Sequence, residues 1–154
     1  MRTVFAVLLF LVLAASAHAA THRVVAVFGG DTMTVVPLQG GERVKLRLYG
    51  IYAPVLDQPY GEMARGFVQN AALFKEVDVR PTSQEPDRDG RIPAVVAIPG
   101  VGDLQSLVLA AGFAWVYPQS CPDCSTWEAI QAQASIGRKG LWADKAPVPP
   151  WEWK

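Results

Sequence analysis

Arg43-Val-Lys-Leu-Arg-Leu-Tyr49 alternates without a break: Arg43, Lys45 and Arg47 fall on one face of an extended chain, and Val44, Leu46 and Leu48 on the other. Such a strand has one face for a core and one that borders solvent or a polar site. Upstream, Pro37 to Gly41 reads as a turn, and two β-branched runs, Arg23 to Phe28 and Thr32 to Val36, flank Gly29-Gly30-Asp31 as a hairpin. Downstream, Gly50 to Gly61 carries Pro54 and Pro59 and reads as a loop. Glu62 to Phe74 then sets Ala64, Phe67, Val68, Ala71 and Ala72 at helical spacing. Val77 to Arg80 and Ile92 to Ile98 supply a fourth and fifth strand, separated by the charged loop Pro81 to Arg91. Asp103 can cap a short helix to Ala111, stopped by Gly112, and Ser125-Thr-Trp-Glu128 has capping-box spacing for a third helix ending near Arg138-Lys139-Gly140. One helix after the third strand and two after the fifth predict an α+β fold, mainly β: a five-stranded Greek-key barrel of the OB type with three helices.

The chain has 154 residues, 51% of them apolar, with 14 basic and 14 acidic side chains. That fits one folded domain and excludes a disordered chain. Arg2, the apolar run Val4 to Ala15 and the small-x-small triplet Ala17-His18-Ala19 read as a signal peptide over residues 1–19. The run is too short for a permanent membrane span, so the expected product lies outside the cytoplasmic membrane, in periplasm or medium. Residues 20–145 would form the domain and residues 146–154, with three prolines, Trp151 and Trp153, a tail packed on it. A monomer is expected. Cleavage after Ala19 leaves 135 residues with 13 basic and 14 acidic groups. Such a balance excludes nucleic-acid affinity driven by bulk charge, so any phosphate recognition must be local. His22 is then the sole histidine, which argues against Ser-His-Asp, Cys-His and multi-histidine metal chemistry.

All five tryptophans lie between Trp115 and Trp153. Trp142, Trp151 and Trp153 are read as fastening the proline-rich tail to the barrel, with base stacking by Trp115 or Tyr117 as the competing reading. In an oxidising compartment Cys121-Pro-Asp-Cys124 most simply closes a small disulfide. A redox pair with a thiol at a helix N-terminus is the alternative, and zinc would need two further ligands.

Over nearly the whole mature chain the sequence resembles the staphylococcal nuclease (thermonuclease) family. The resemblance is carried by Gly30-Asp31-Thr32, Arg47-Leu-Tyr-Gly-Ile51, Ala53-Pro54, Gln58-Pro-Tyr-Gly61, Asp87-Arg-Asp-Gly-Arg91, Leu107-Val108, Gly112-Phe-Ala-Trp-Val-Tyr117, Gly140-Leu-Trp142 and Pro149-Pro-Trp-Glu-Trp153. It implies an OB barrel that hydrolyses DNA or RNA, with one Ca²⁺ beside the scissile phosphodiester, two arginines clamping the phosphate and a glutamate activating water. Arg47 and Arg91 match the clamp, whose planar forks of donors suit phosphate oxygens. Asp31 matches the first calcium carboxylate, and Arg88 and Tyr117 join the candidate nucleic-acid and phosphate contacts.

Four positions depart from the family pattern. Where the family has Gly-(apolar)-Asp-(small)-Pro-Glu, this chain has Gly50-Ile-Tyr52-Ala-Pro-Val55, so the second calcium carboxylate and the water-activating glutamate are replaced. Gly29 stands for an aspartate, and Asp89 for an aromatic residue. Loss of a general base and of metal charge lowers a rate by something on the order of 10⁴ or more. The favoured expectation is weak or no catalysis, Ca²⁺ held weakly or not at all, and retained affinity for nucleic acid or a phosphate-bearing small ligand. An active metal-dependent nuclease using Asp57, Asp87 or Asp89 as a substitute carboxylate is the alternative, and a non-catalytic partner-binding module is the third.

Overall fold

A computed structural model describes residues 19–154. The leader reading therefore lies, but for Ala19, outside the described residues. The chain forms β1 (His22–Val27), β2 (Thr32–Pro37), β3 (Val44–Leu48), β4 (Ile51–Tyr52), α1 (Gly61–Ala72), β5 (Glu76–Pro81), β6 (Ile92–Ile98), β7 (Gly102–Asp103), α2 (Leu104–Ala110), β8 (Trp115–Val116), α3 (Ser125–Ile136) and a 3-10 turn at Gly140–Ala143.

Strand β1 pairs antiparallel with β2 and β5, β2 with β3, and β5 with β6. Parallel pairing of β3 with β6 closes these five strands into a barrel. The alternation in β3 explains the closure. Leu46 and Leu48 point inward, each 1% exposed, beside Met33, Val35, Val24 and Val96, which have no exposure. Lys45 stays in solvent and Arg47 is half-buried. Ala64, Val68 and Ala72 of α1 and Leu104, Val108 and Leu109 of α2 join this core. The predicted fold is therefore the observed one: a five-stranded OB-type barrel with three helices.

Several boundaries differ from expectation, each for a local reason. Helix α1 ends at Ala72 rather than Phe74, because Phe74 takes a left-handed backbone (φ 63°) and its N–H donates to the Val24 carbonyl of the barrel. Cys124 caps α3 without a side-chain bond and Ser125 is already helical, so the capping box does not form. Asp103 does cap α2, accepting from the Ser106 N–H at 2.8 Å. The two-residue strands β4, β7 and β8 are too short to show any period. β4 and β8 pair with each other, Tyr52 opposite Trp115, as a small sheet beside the barrel. Among the described residues no helix is long and apolar enough to cross a membrane.

Gln105 of α2 has no exposed surface. Its amide donates to the Ala94 carbonyl at 3.0 Å and the Tyr49 carbonyl at 3.4 Å, at the end of the β3–β6 seam. The Ala94 carbonyl also accepts the Tyr49 N–H at 2.9 Å, so loss of the amide takes a second donor from Ala94 and a donor from the Tyr49 carbonyl, and buried acceptors that lose donors are costly. Gln105→Leu should therefore lower unfolding stability by about 1–3 kcal/mol, read as a lower urea midpoint with unchanged far-UV circular dichroism.

Candidate functional site

The seam also builds a cleft of about 1150 Å³ on the outer face of the barrel. Arg47 pairs in register with Pro93, so Arg91, two residues earlier and on the same face as Pro93, emerges beside the cationic face of β3. Arg47, Arg88 and Arg91 line this cleft together with Asp31, Tyr52, Val55, Asp87, Asp89, Tyr117 and Trp151.

Asp31, 9% exposed, is fully engaged. Its Oδ2 accepts from the Ala53 N–H at 3.0 Å and from Arg47 Nη2 at 3.1 Å, and its Oδ1 accepts from the Thr32 hydroxyl at 2.9 Å. The carboxylate thus ties the β1–β2 turn to β3 and to the loop after β4. That approach needs Gly30 underneath, where a Cβ would lie 2.6 Å from Ala53 Cβ and 2.7 Å from Ala64 Cβ. Arg47 is fixed from two sides, by Asp31 and by the Tyr52 ring, whose centre is 3.7 Å from its Cζ. Such cation–π contact orients a guanidinium without consuming its in-plane donors. Arg47 Nε is buried and has no hydrogen-bond partner in the protein.

Arg91 is held by its own loop. Its Nε donates to Asp87 Oδ2 at 2.9 Å and its Nη2 to Asp89 Oδ2 at 2.6 Å. Asp87 Oδ1 accepts the backbone N–H groups of Asp89 and Arg91. Burial would raise the Asp87 carboxyl, but the Arg91 backbone N–H, the Arg91 guanidinium and the Asp89 N–H outweigh it and bring it below its ordinary 3.8. Asp87 and Asp89 are therefore committed to Arg91. Asp57 is exposed and outside the cleft lining. Among the described residues no three histidine, cysteine or acidic side chains converge as metal ligands.

Tyr52 and Tyr117 lie with ring centres 4.8 Å apart, brought together by the β4–β8 pair and by the Tyr117 N–H donating to the Gly50 carbonyl. Trp115 is 8% exposed and packs edge-on against Trp142, which leaves Tyr117, not Trp115, facing the cleft. Trp151 reaches the same cleft from the tail, 5.0 Å from Tyr117 and 5.9 Å from Tyr52. Its place there is invisible in the sequence, since nothing local links a C-terminal tryptophan to Tyr52. Cys121 and Cys124 form a disulfide and are 6% and 7% exposed. Cys124 is the N-cap of α3, and Cys121 lies three residues ahead of it. The bridge packs against Gly50, where a Cβ would lie 3.1 Å from Cys121 Cβ. His22 sits in β1 opposite Pro37 and Val77, outside the cleft.

Known proteins share this framework. A family model described as staphylococcal nuclease homologue matches residues 45–144. An Escherichia coli protein named "uncharacterized endonuclease" is 36% identical over 132 residues, 86% of this chain and 83% of that one. The micrococcal nuclease of Shigella flexneri is 30% identical over 140 residues, covering 85% and 78%. An "uncharacterized endonuclease" of Haemophilus influenzae is 33% identical over 148 residues, covering 96% and 80%.

Because the Asp87 carboxyl lies below 3.8 in the folded chain, its contribution to stability is complete above that value and is lost as the pH falls through the lower, folded one. Asp87→Asn should therefore make thermal stability fall less than in the parent between about pH 5 and about pH 2.5. An unchanged acid slope would mean that Asp87 does not hold this loop.

Proposed function

Because the chain belongs to the staphylococcal nuclease family, whose hydrolysis of nucleic acid depends on Ca²⁺, we propose that its cleft binds the phosphates of nucleic acid or nucleotides through Arg47 and Arg91 with little or no cleavage. The observation that carries this reading is that both guanidiniums face one cleft while Tyr52 and Val55 occupy the two family carboxylate positions. A guanidinium has five N–H donors. Arg47 gives an Nη2 hydrogen to Asp31, and its remaining terminal N–H groups are the donors left for phosphate oxygens. Arg88, exposed at the rim, and Tyr117 add contacts along a bound strand.

A hard divalent cation takes about six to eight oxygens. The residues present do not fit Ca²⁺: the Asp31 oxygens already accept from Arg47, Ala53 and Thr32, and Asp87 and Asp89 are turned to Arg91. No step of this reading passes through a metal. The signal-peptide reading of residues 1–19 and the disulfide support export to periplasm or medium, with residues 146–154 as a tail on the domain of residues 20–145.

Calorimetric titration at low salt should show a nucleoside bisphosphate binding the parent, and at least about tenfold weaker binding to Arg47→Ala and to Arg91→Ala. No binding to the parent would overturn the reading. The parent should release no fragments from single-stranded DNA with millimolar Ca²⁺, whereas Tyr52→Asp with Val55→Glu should gain Ca²⁺-dependent release. Ca²⁺-dependent cleavage by the parent, abolished by Arg91→Ala, would establish an enzyme with a rebuilt site instead.

A further inference from the structure

The tail does more than cover apolar surface. Trp151 is 43% exposed although it touches the aromatic cluster, and it lines the same cleft as the two arginines. A ring that only fastened the tail would be buried as Trp115 is. Its placement is built rather than incidental. The Gln58 amide donates to the Val148 carbonyl three residues earlier, Pro149 and Pro150 stiffen the approach, and the Glu152 N–H donates to the Pro149 carbonyl at 3.0 Å. Gln58 is itself 5% exposed, so this anchor is fixed to the loop that carries Val55.

Trp151 has three ring neighbours, Tyr117 at 53°, Tyr52 at 87° and Trp115 at 6.4 Å and 70°, and none of them is stacked flat on it. Trp151 therefore keeps a face for a further ring. From Arg47 Cζ it is 3.7 Å to the Tyr52 centre and 5.9 Å from there to Trp151, so guanidinium and indole lie within about 10 Å, the span of one nucleotide. Across the cleft Phe28 and Leu56, 52% and 43% exposed, add an apolar rim. A clamp for bare phosphate has no use for such walls.

We infer that Trp151 is a specificity-determining residue: it offers its free face to the base of a bound nucleotide, so the cleft favours a phosphate that carries an unstacked base over one that does not. The inference rests on the reading of Arg47 and Arg91 as the phosphate clamp. Stacking of one base on an aromatic side chain changes affinity roughly tenfold.

The test titrates the full chain with inorganic phosphate, ribose 5-phosphate and thymidine monophosphate. The parent should bind the nucleotide roughly tenfold tighter than ribose 5-phosphate. Trp151→Leu should lose that difference while keeping its affinity for ribose 5-phosphate, and Trp151→Phe should keep most of it. If Trp151→Leu does not fold, 5-fluorotryptophan labelling of the parent reads the same contact: the Trp151 resonance should move with the nucleotide and stay with ribose 5-phosphate. Equal affinity of the parent for both, an undiminished preference in Trp151→Leu, or a motionless resonance would overturn the inference and leave the clamp intact. Failure of all three probes to bind the parent would overturn the clamp, and the inference with it.

Discussion

The parallel pairing of Leu46–Leu48 with Ile92–Ala94 is the contact on which the rest of the molecule depends. The other barrel pairs are antiparallel, and β1 with β2, β2 with β3 and β5 with β6 are neighbours along the chain. This one joins segments separated by a helix and two strands. It buries Leu46, Leu48 and Ala94 almost completely, which offsets the entropy of so long a closure. The same register sets Arg47 beside Pro93 and brings the Arg91 loop alongside β3. A slip by one residue would turn Arg47 toward the core and Leu46 toward water, so the hydrophobic pattern that closes the barrel also sets the position of the guanidiniums.

Within the cleft the carboxylates act on the arginines. Asp31 orients Arg47, and Asp87 with Asp89 orients Arg91. Both arginine side chains are 18% exposed, so these pairs are less screened than surface ones. Part of the charge is neutralised in return, and recognition then depends on the donors left in each fork and on the geometry in which they are held. Tyr52 adds to that preorganisation by stacking beneath Arg47. An aromatic ring thus holds the guanidinium in place from beneath, with its in-plane donors left uncovered.

The alternating run at Arg43 to Tyr49, the hairpin around Gly29 to Asp31 and the helical spacing of Ala64, Phe67 and Val68 made the barrel and α1 legible, because each is a periodic signal several residues long. The β4–β8 pair was not, since two residues carry no period and the partners lie far apart in sequence. The end of α1 was misjudged for a related reason: Phe74 continues the apolar spacing, but a hydrogen bond to Val24 in another strand pulls it out of the helix. At the site, the arginines and the replaced carboxylates were visible as residue types. The partners that Asp57, Asp87 and Asp89 would take were not.

Sequence alone therefore determined the barrel, the family and the chemical inventory: two arginines, one aspartate, a tyrosine and a valine where the family resemblance implies carboxylates, and a cysteine pair three apart. These follow from periodicity, composition and local motif, all of which are properties of neighbours along the chain. Only the tertiary structure decided that Tyr52 lies under Arg47, that Asp87 and Asp89 turn to Arg91 while Asp57 stays in solvent, and that Trp151 enters the cleft. Each of these depends on which rotamers and loops the closed barrel brings within a few ångströms, and no pattern along the chain encodes a distance between residues that meet only after folding.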